Sequence, residues 1–199
     1  MEPSAALRGV TVVLDDRAIL RGIDLDLGPG LTILRGANGS GKTTLLRAVA
    51  GLTPLSRGTR ATSEPPLLVS HRTALLRALT ARENLAFFTT YRGIATARVD
   101  QALARWGLAA DADRPLERLS AGQRRRAALA RLDAEDARIA LLDEPFSELD
   151  AEGTQLVAEA LARWTAERRI VLVATHGHSE LDRAAAQVLA VVDASVRQQ

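Results

Sequence analysis

Gly36-Ala37-Asn38-Gly39-Ser40-Gly41-Lys42-Thr43 is the stretch on which the fold turns. It fits the pattern G-x-x-x-x-G-K-[ST], in which a glycine-rich turn offers backbone N–H groups to phosphate oxygens. Gly36, Gly39 and Gly41 allow the tight turn. Lys42 supplies a point charge for the β- and γ-phosphates, and the Thr43 hydroxyl is placed to ligate Mg²⁺. Ala37, Asn38, Ser40 and Thr44 complete the expected phosphate cradle. Lys42 is the one lysine among 199 residues, and every other basic side chain is Arg. A compact ammonium enters a tight loop that a planar, forked guanidinium does not.

Outward from the loop, Leu31 to Leu34 reads as a buried strand, and Thr43 to Ala50 as a helix ending at Gly51. Strand, glycine loop and helix are the context that the motif requires. Apolar runs at Leu7 to Leu14, Ile23 to Leu27, Leu67 to Ser70, Ile139 to Leu142, Ile170 to Ala174 and Val188 to Val192 predict further strands. Ala74 to Ala104 is expected to be mostly helical, broken near Gly93 and Thr96. Leu119 to Leu132 and Leu156 to Ala166 predict helices, the former with Ser120 as N-cap. Thr53 to Pro66 reads as loop and short irregular strand. The alternation argues for an α/β fold with a mainly parallel sheet. One domain over residues 1–199 is expected, with a helical insertion at about residues 72–130.

Hydrophobic residues form 47% of the chain, enough for a core. Aromatics are 3%, so that core is expected to be aliphatic, with Trp106 and Leu108 as core or interface anchors. A balance of 26 basic against 24 acidic residues predicts no nucleic-acid partner, and Arg124-Arg125-Arg126 reads as a solvated helix face. Absence of Cys excludes disulfides and thiolate metal sites. His71, His176 and His178 have no neighbouring ligands to complete a metal set. Met1 to Arg8 lacks an apolar signal stretch, and no run approaches the roughly 20 apolar residues of a membrane span. A soluble intracellular chain is expected, with any membrane role supplied by a partner.

A second motif is Leu141-Leu142-Asp143-Glu144-Pro145. It puts an acidic pair at the carboxyl end of a buried strand, where ligands bind in parallel sheets. Asp143 would support the Mg²⁺ shell, and Glu144 would act as general base towards the attacking water. The third is Leu119-Ser120-Ala121-Gly122-Gln123, whose plain reading is a capped helix start, itself an anion site.

Here the chain resembles the ATP-binding-cassette family, whose signature is Leu-Ser-Gly-Gly-Gln. Ala121 departs from that pattern. The likeness runs through the phosphate loop, the signature, Asp143-Glu144, Ser147-Glu148-Leu149-Asp150 and His176 in that order. It implies a P-loop NTPase core with a small N-terminal antiparallel β part and a helical subdomain. It also implies that two domains meet head to tail around ATP and Mg²⁺. Ser120, Gly122 and Gln123 of one domain would then close over the nucleotide held by the other's Lys42, and Asp150 would lie where the two sites meet. His176 resembles the switch histidine that senses the γ-phosphate, whereas His178 is assigned to the surface.

Two departures stand out. Arg72 occupies the position at which the family usually carries a Gln that couples Mg²⁺ to the membrane subunit, and Arg cannot accept a hydrogen bond. Val12-Val13-Leu14 replaces the aromatic that usually stacks on adenine, so an aliphatic is expected to cover the base.

The resemblance implies a transport ATPase on the cytoplasmic face of the inner membrane, driving a separate integral-membrane subunit. It is strongest to the short haem-exporter or cytochrome c maturation type, through Leu79-Thr80-Ala81-Arg82-Glu83-Asn84-Leu85 and Leu119 to Arg126. The alternatives are an ATP-gated assembly or release subunit, and a non-transport ATPase of the same family. The latter usually carries a long coiled coil or a second cassette.

Overall fold

Asp15 and Asp16 begin the antiparallel part of the molecule. Both have positive φ (47° and 60°), the twist that a two-residue hairpin turn needs. The turn joins β1 (Ala5–Leu14) to β2 (Arg17–Leu27) with Leu14 opposite Arg17. The expected strand at Ile23 to Leu27 therefore begins six residues earlier. Arg17 to Gly22 shows no apolar alternation, and the hairpin pairs those residues instead.

The computed structural model describes residues 2–71 and 73–199, which divide into two compact units. Arg72 lies outside the described residues. The first unit holds the chain up to Ser70, Arg138–Glu144 and Leu161–Gln199. Its antiparallel sheet has the order β2-β1-β4, with β4 (Arg57–Thr62) lying inside the segment read as irregular. Its six-stranded sheet adds β3 (Gly30–Arg35), β5 (Leu67–Val69), β6 (Ile139–Asp143), β7 (Ile170–Ala174), β8 (Gln187–Val192) and β9 (Ser195–Gln198), in the order β5-β6-β7-β3-β8-β9. All neighbours are parallel except β8 and β9, a hairpin whose second strand the sequence did not signal. Strands β6 and β7 are buried at every residue, as continuous apolar runs in a covered parallel sheet should be. Helix α1 (Lys42–Ala50) packs Leu45, Leu46 and Val49 into an aliphatic core with Leu34, Ile139, Leu141, Ile170 and Leu172.

The second unit comprises His71–Ala137 and Pro145–Ala160. The stretch from Ala74 to Thr80, expected to be helical, is not; α2 spans Ala81–Tyr91 and α3 Val99–Arg105. The reason is a full capping box. Thr80 Oγ1 accepts from Glu83 N at 3.1 Å and Glu83 Oε2 accepts from Thr80 N at 2.8 Å. Fully buried Asn84 then ties back the chain before the cap, accepting from Leu76 N at 2.8 Å and donating to Leu76 O at 3.0 Å.

Helix α4 (Ala121–Ala134) carries the three consecutive arginines, and they are not a solvated face. Arg125 is 1% exposed. Each donates to a different backbone carbonyl: Arg124 to Leu119, Arg125 to Pro145 and Arg126 to Trp106. Their role is to fasten loops around one helix. Trp106 is a core anchor, its indole N–H donating to buried Asp133 at 2.9 Å. Helix α5 spans Ala151–Ala166, five residues longer at its start than expected, because Asp150 Oδ1 accepts from Gly153 N at 2.8 Å and begins the helix there. No helix among the described residues is long and apolar enough to cross a membrane.

Candidate functional site

Sheet order assembles the site. Strands β6, β7 and β3 are consecutive and parallel, so their carboxyl ends lie within about 10 Å of one another. The glycine loop follows β3, Asp143 ends β6, and His176 follows β7. Three separated stretches of sequence thus reach one sheet edge in the first unit.

At the loop, Gly36 has φ 147°, and a Cβ there would come within 2.6 Å of Ser40 Oγ and 2.8 Å of Val191 O. No other residue type fits so closely against its own loop. Lys42 is 7% exposed, and its Nζ donates to Gly36 O at 2.7 Å and Ala37 O at 3.1 Å, folding the ammonium back over the turn. Helices α2 and α4 each start with a complete capping box. Helix α1 starts at Gly41 with no side-chain cap and no acidic residue in its first turn. Its positive end and orphan N–H groups therefore face the loop, the arrangement that receives an anion. Ser40 Oγ, buried beneath the loop, has no hydrogen-bond partner.

Thr43 Oγ1 donates to Asp143 Oδ2 at 2.7 Å, joining the end of the loop to the end of β6. Next in sequence, Glu144 sits at φ 48°, a left-handed conformation that is strained for a non-glycine residue. Its N–H donates to Ala174 O on β7 at 2.8 Å, and its Oε1 lies 2.8 Å from Nδ1 of His176. The carboxylate is 26% exposed and the imidazole 68%. A carboxylate beside an imidazole, open to solvent at the edge of a phosphate loop, can accept a proton from water. His178, assigned to the surface, is half-buried and pairs with Glu180 at 2.9 Å. The Glu180 carboxyl is held below its ordinary range by its own backbone N–H and then by His178.

Beside the loop lies a cavity of 410 Å³, lined by Arg17, Ile19, Asn38, Gly39, Val192 and Asp193 among others. Val12, Val13 and Leu14 are not among its lining residues. Ile19 of β2 and the β8–β9 turn form part of its wall. Sequence reasoning missed that turn because it lies about 150 residues from the loop and carries no motif.

The sequence profile of the ABC transporter family matches residues 20–147. The chain is 39% identical over 175 residues to the "Cytochrome c biogenesis ATP-binding export protein CcmA 1" of Salmonella paratyphi A, covering 81% of this chain and 84% of that one. The corresponding CcmA of Escherichia coli K12 is 37% identical over the same length and shares.

The chain belongs to the ABC transporter family.

It is an ATP-binding, ATP-hydrolysing subunit of that family. Solved structures agree on the ABC ATPase fold. An ATP-binding subunit of an ABC transporter superposes with a TM-score of 0.90 at 17% identity, over 98% of this chain and 89% of that one. An ATP-binding cassette solved as a dimer after hydrolysis, with ADP and Pi, superposes with a TM-score of 0.86 at 22% identity, over 98% and 97%.

The remaining ABC motif residues belong to the second unit. Ser120 is the N-cap of α4: its Oγ accepts from Gln123 N at 3.1 Å, and Gln123 Oε1 accepts from Ser120 N at 2.9 Å. The Gln123 amide also donates to Asp111 at 2.7 Å. Its side chain is thus engaged within its own unit. Gly122 packs tightly, since a Cβ there would meet Glu148 O at 3.0 Å. Asp150 accepts from Gly153 N at the start of α5.

Proposed function

We propose that the chain is one nucleotide-binding domain that pairs with a second around two Mg-ATP and drives a separate integral-membrane subunit, in export linked to cytochrome c maturation. The relatives named above are cytochrome c biogenesis export proteins, and the chain spans most of their length. The reading places the chain peripherally, on the cytoplasmic face of the membrane that holds its partner. The single observation that carries the catalytic part is the double juncture at the sheet edge: Thr43 with Asp143, and Glu144 with His176.

In this reading the α1 N–H groups and Lys42 bind the β- and γ-phosphates, in a cradle that the Gly36 geometry and the uncapped helix start suit. Thr43 and Asp143 would hold Mg²⁺. The threonine proton goes to the carboxylate, which leaves its oxygen lone pairs for a cation. When bound, the ion neutralises charge on the phosphate oxygens. Glu144 takes the proton of the attacking water, and His176 holds Glu144 and faces the γ-phosphate. The base fits the cavity against Ile19 and Arg17. Ser120 and Gly122 face the nucleotide of the second copy, with Gln123 fixing the helix start that carries them. Asp150 lies near the contact between the two sites.

Glu144→Gln tests the assignment. It keeps the shape and removes the base. ATP affinity by calorimetry should stay within about threefold, while turnover falls by about 100-fold or more. Light scattering with Mg-ATP should show a dimer. Turnover at the wild-type rate sinks Glu144 as base. Reconstitution with a membrane partner subunit, followed by a transport assay, tests the export role.

A further inference from the structure

Arg35 ends β3 and immediately precedes the first glycine of the phosphate loop. No motif in the sequence calls for it, and its identity says little in a chain that uses Arg almost everywhere. Its contacts say more. The side chain is 15% exposed and reaches over the end of β7, the strand paired with β3. Nη1 donates to Thr175 O at 3.2 Å and to Gly177 O. Nη2 donates to His178 O at 3.1 Å and to Asp182 Oδ1 at 2.6 Å. The acceptors bracket His176 on both sides, and none is His176 itself.

The segment so held is not relaxed. His178 lies at φ 60°, ψ 51°. A non-glycine residue there is strained and persists where surrounding contacts over-determine it. Arg35 supplies such contacts: its planar fork spreads donors across carbonyls of three residues, which a single ammonium cannot span in one geometry. The backbone of the next residue, Gly36, accepts from Lys42 Nζ at 2.7 Å. The strut therefore runs from the start of the phosphate loop to the loop bearing the histidine.

We infer that Arg35 is a positioning residue for ATP hydrolysis, setting His176 against Glu144 by clamping the 175–178 loop. The inference rests on the reading of His176 and Glu144 as the hydrolytic pair. In this role Arg35 acts through the histidine and not on the nucleotide. Asp182 holds the guanidinium in turn, so its loss should weaken the clamp without abolishing it.

The test compares purified Arg35→Lys, His176→Ala and the double variant with the wild-type chain. Steady-state and single-turnover hydrolysis of Mg-ATP would be measured alongside calorimetric ATP affinity and thermal melting. Arg35→Lys is expected to lower kcat by about tenfold while KM and affinity stay within about threefold. On the His176→Ala background it should cost less than about twofold more, because both changes remove one interaction. A wild-type kcat for Arg35→Lys beside an impaired His176→Ala overturns the inference, as does a full tenfold further loss in the double variant. A raised KM with unchanged kcat also overturns it, by moving Arg35 into phosphate binding. Wild-type turnover by His176→Ala overturns the underlying reading instead, and so is told apart. Should Arg35→Lys fail to fold, Asp182→Asn takes its place, with a smaller loss of kcat and the same lack of further effect on His176→Ala.

Discussion

Lys42 carries two tasks at the scale of one residue. Its ammonium bonds the Gly36 and Ala37 carbonyls and also offers charge to an incoming phosphate. Lys42→Ala removes both, leaving the loop less ordered and the phosphates without their side-chain counter-charge. ATP affinity by calorimetry is expected to fall by at least about tenfold, or about 1.4 kcal/mol. Near-native affinity would contradict the assignment of the loop. Lys42 itself was legible in the sequence. Its bonds to the carbonyls five and six residues away came only with the folded loop. Arg35 was not legible, because its partners stand 140 to 147 residues further along the chain.

Capping decides where the elements start. The helices that begin with Thr80 and Ser120 have complete boxes, whereas α1 has no side-chain cap and no acidic residue in its first turn, which leaves its first N–H groups to an anion. Thr80→Ala should cost about 1 kcal/mol in denaturant unfolding, with ATP hydrolysis unchanged. Ser120 allows a sharper comparison. Ser120→Ala loses the cap and should cost a similar amount, about 1 kcal/mol; Ser120→Asn restores the cap and should recover that stability. If ATP-driven dimerisation of the Asn variant also returns to wild type, Ser120 serves as a cap alone, and its proposed contact with the partner's nucleotide is wrong. The sequence marked Ser120 as an N-cap, whereas the longer helix expected from Ala74 missed the competing cap at Thr80. Helical propensity persists through that stretch, but Thr80 and the buried Asn84 bind the backbone in another way.

At the scale of the whole molecule, the loop, Asp143, Glu144 and His176 all lie in the first unit, and the signature residues lie in the second. A ligand that binds the folded state alone stabilises it by about 2.7 kcal/mol at a hundredfold excess over Kd. Mg-ATP should therefore raise the melting temperature of the wild-type chain, and Lys42→Ala should show little such rise. Hydrogen exchange should slow first at residues 36–50 and 143–144. Protection confined to the second unit would contradict the site.

The sequence by itself determined the phosphate loop, the acidic pair at the end of β6, the capped signature helix, the parallel α/β class and the family resemblance. Each is written in contiguous residues or in a local period, so chemistry and geometry are set within a turn or a strand. Tertiary structure alone decided that β7 lies between β6 and β3, which brings His176 against Glu144. It also turned Arg125 inward to Pro145, lined the cavity with Ile19 and the β8–β9 turn, and gave Arg35 its four acceptors. The physical reason is that a buried polar group must find its partner wherever the fold brings one, and strand order sets that choice.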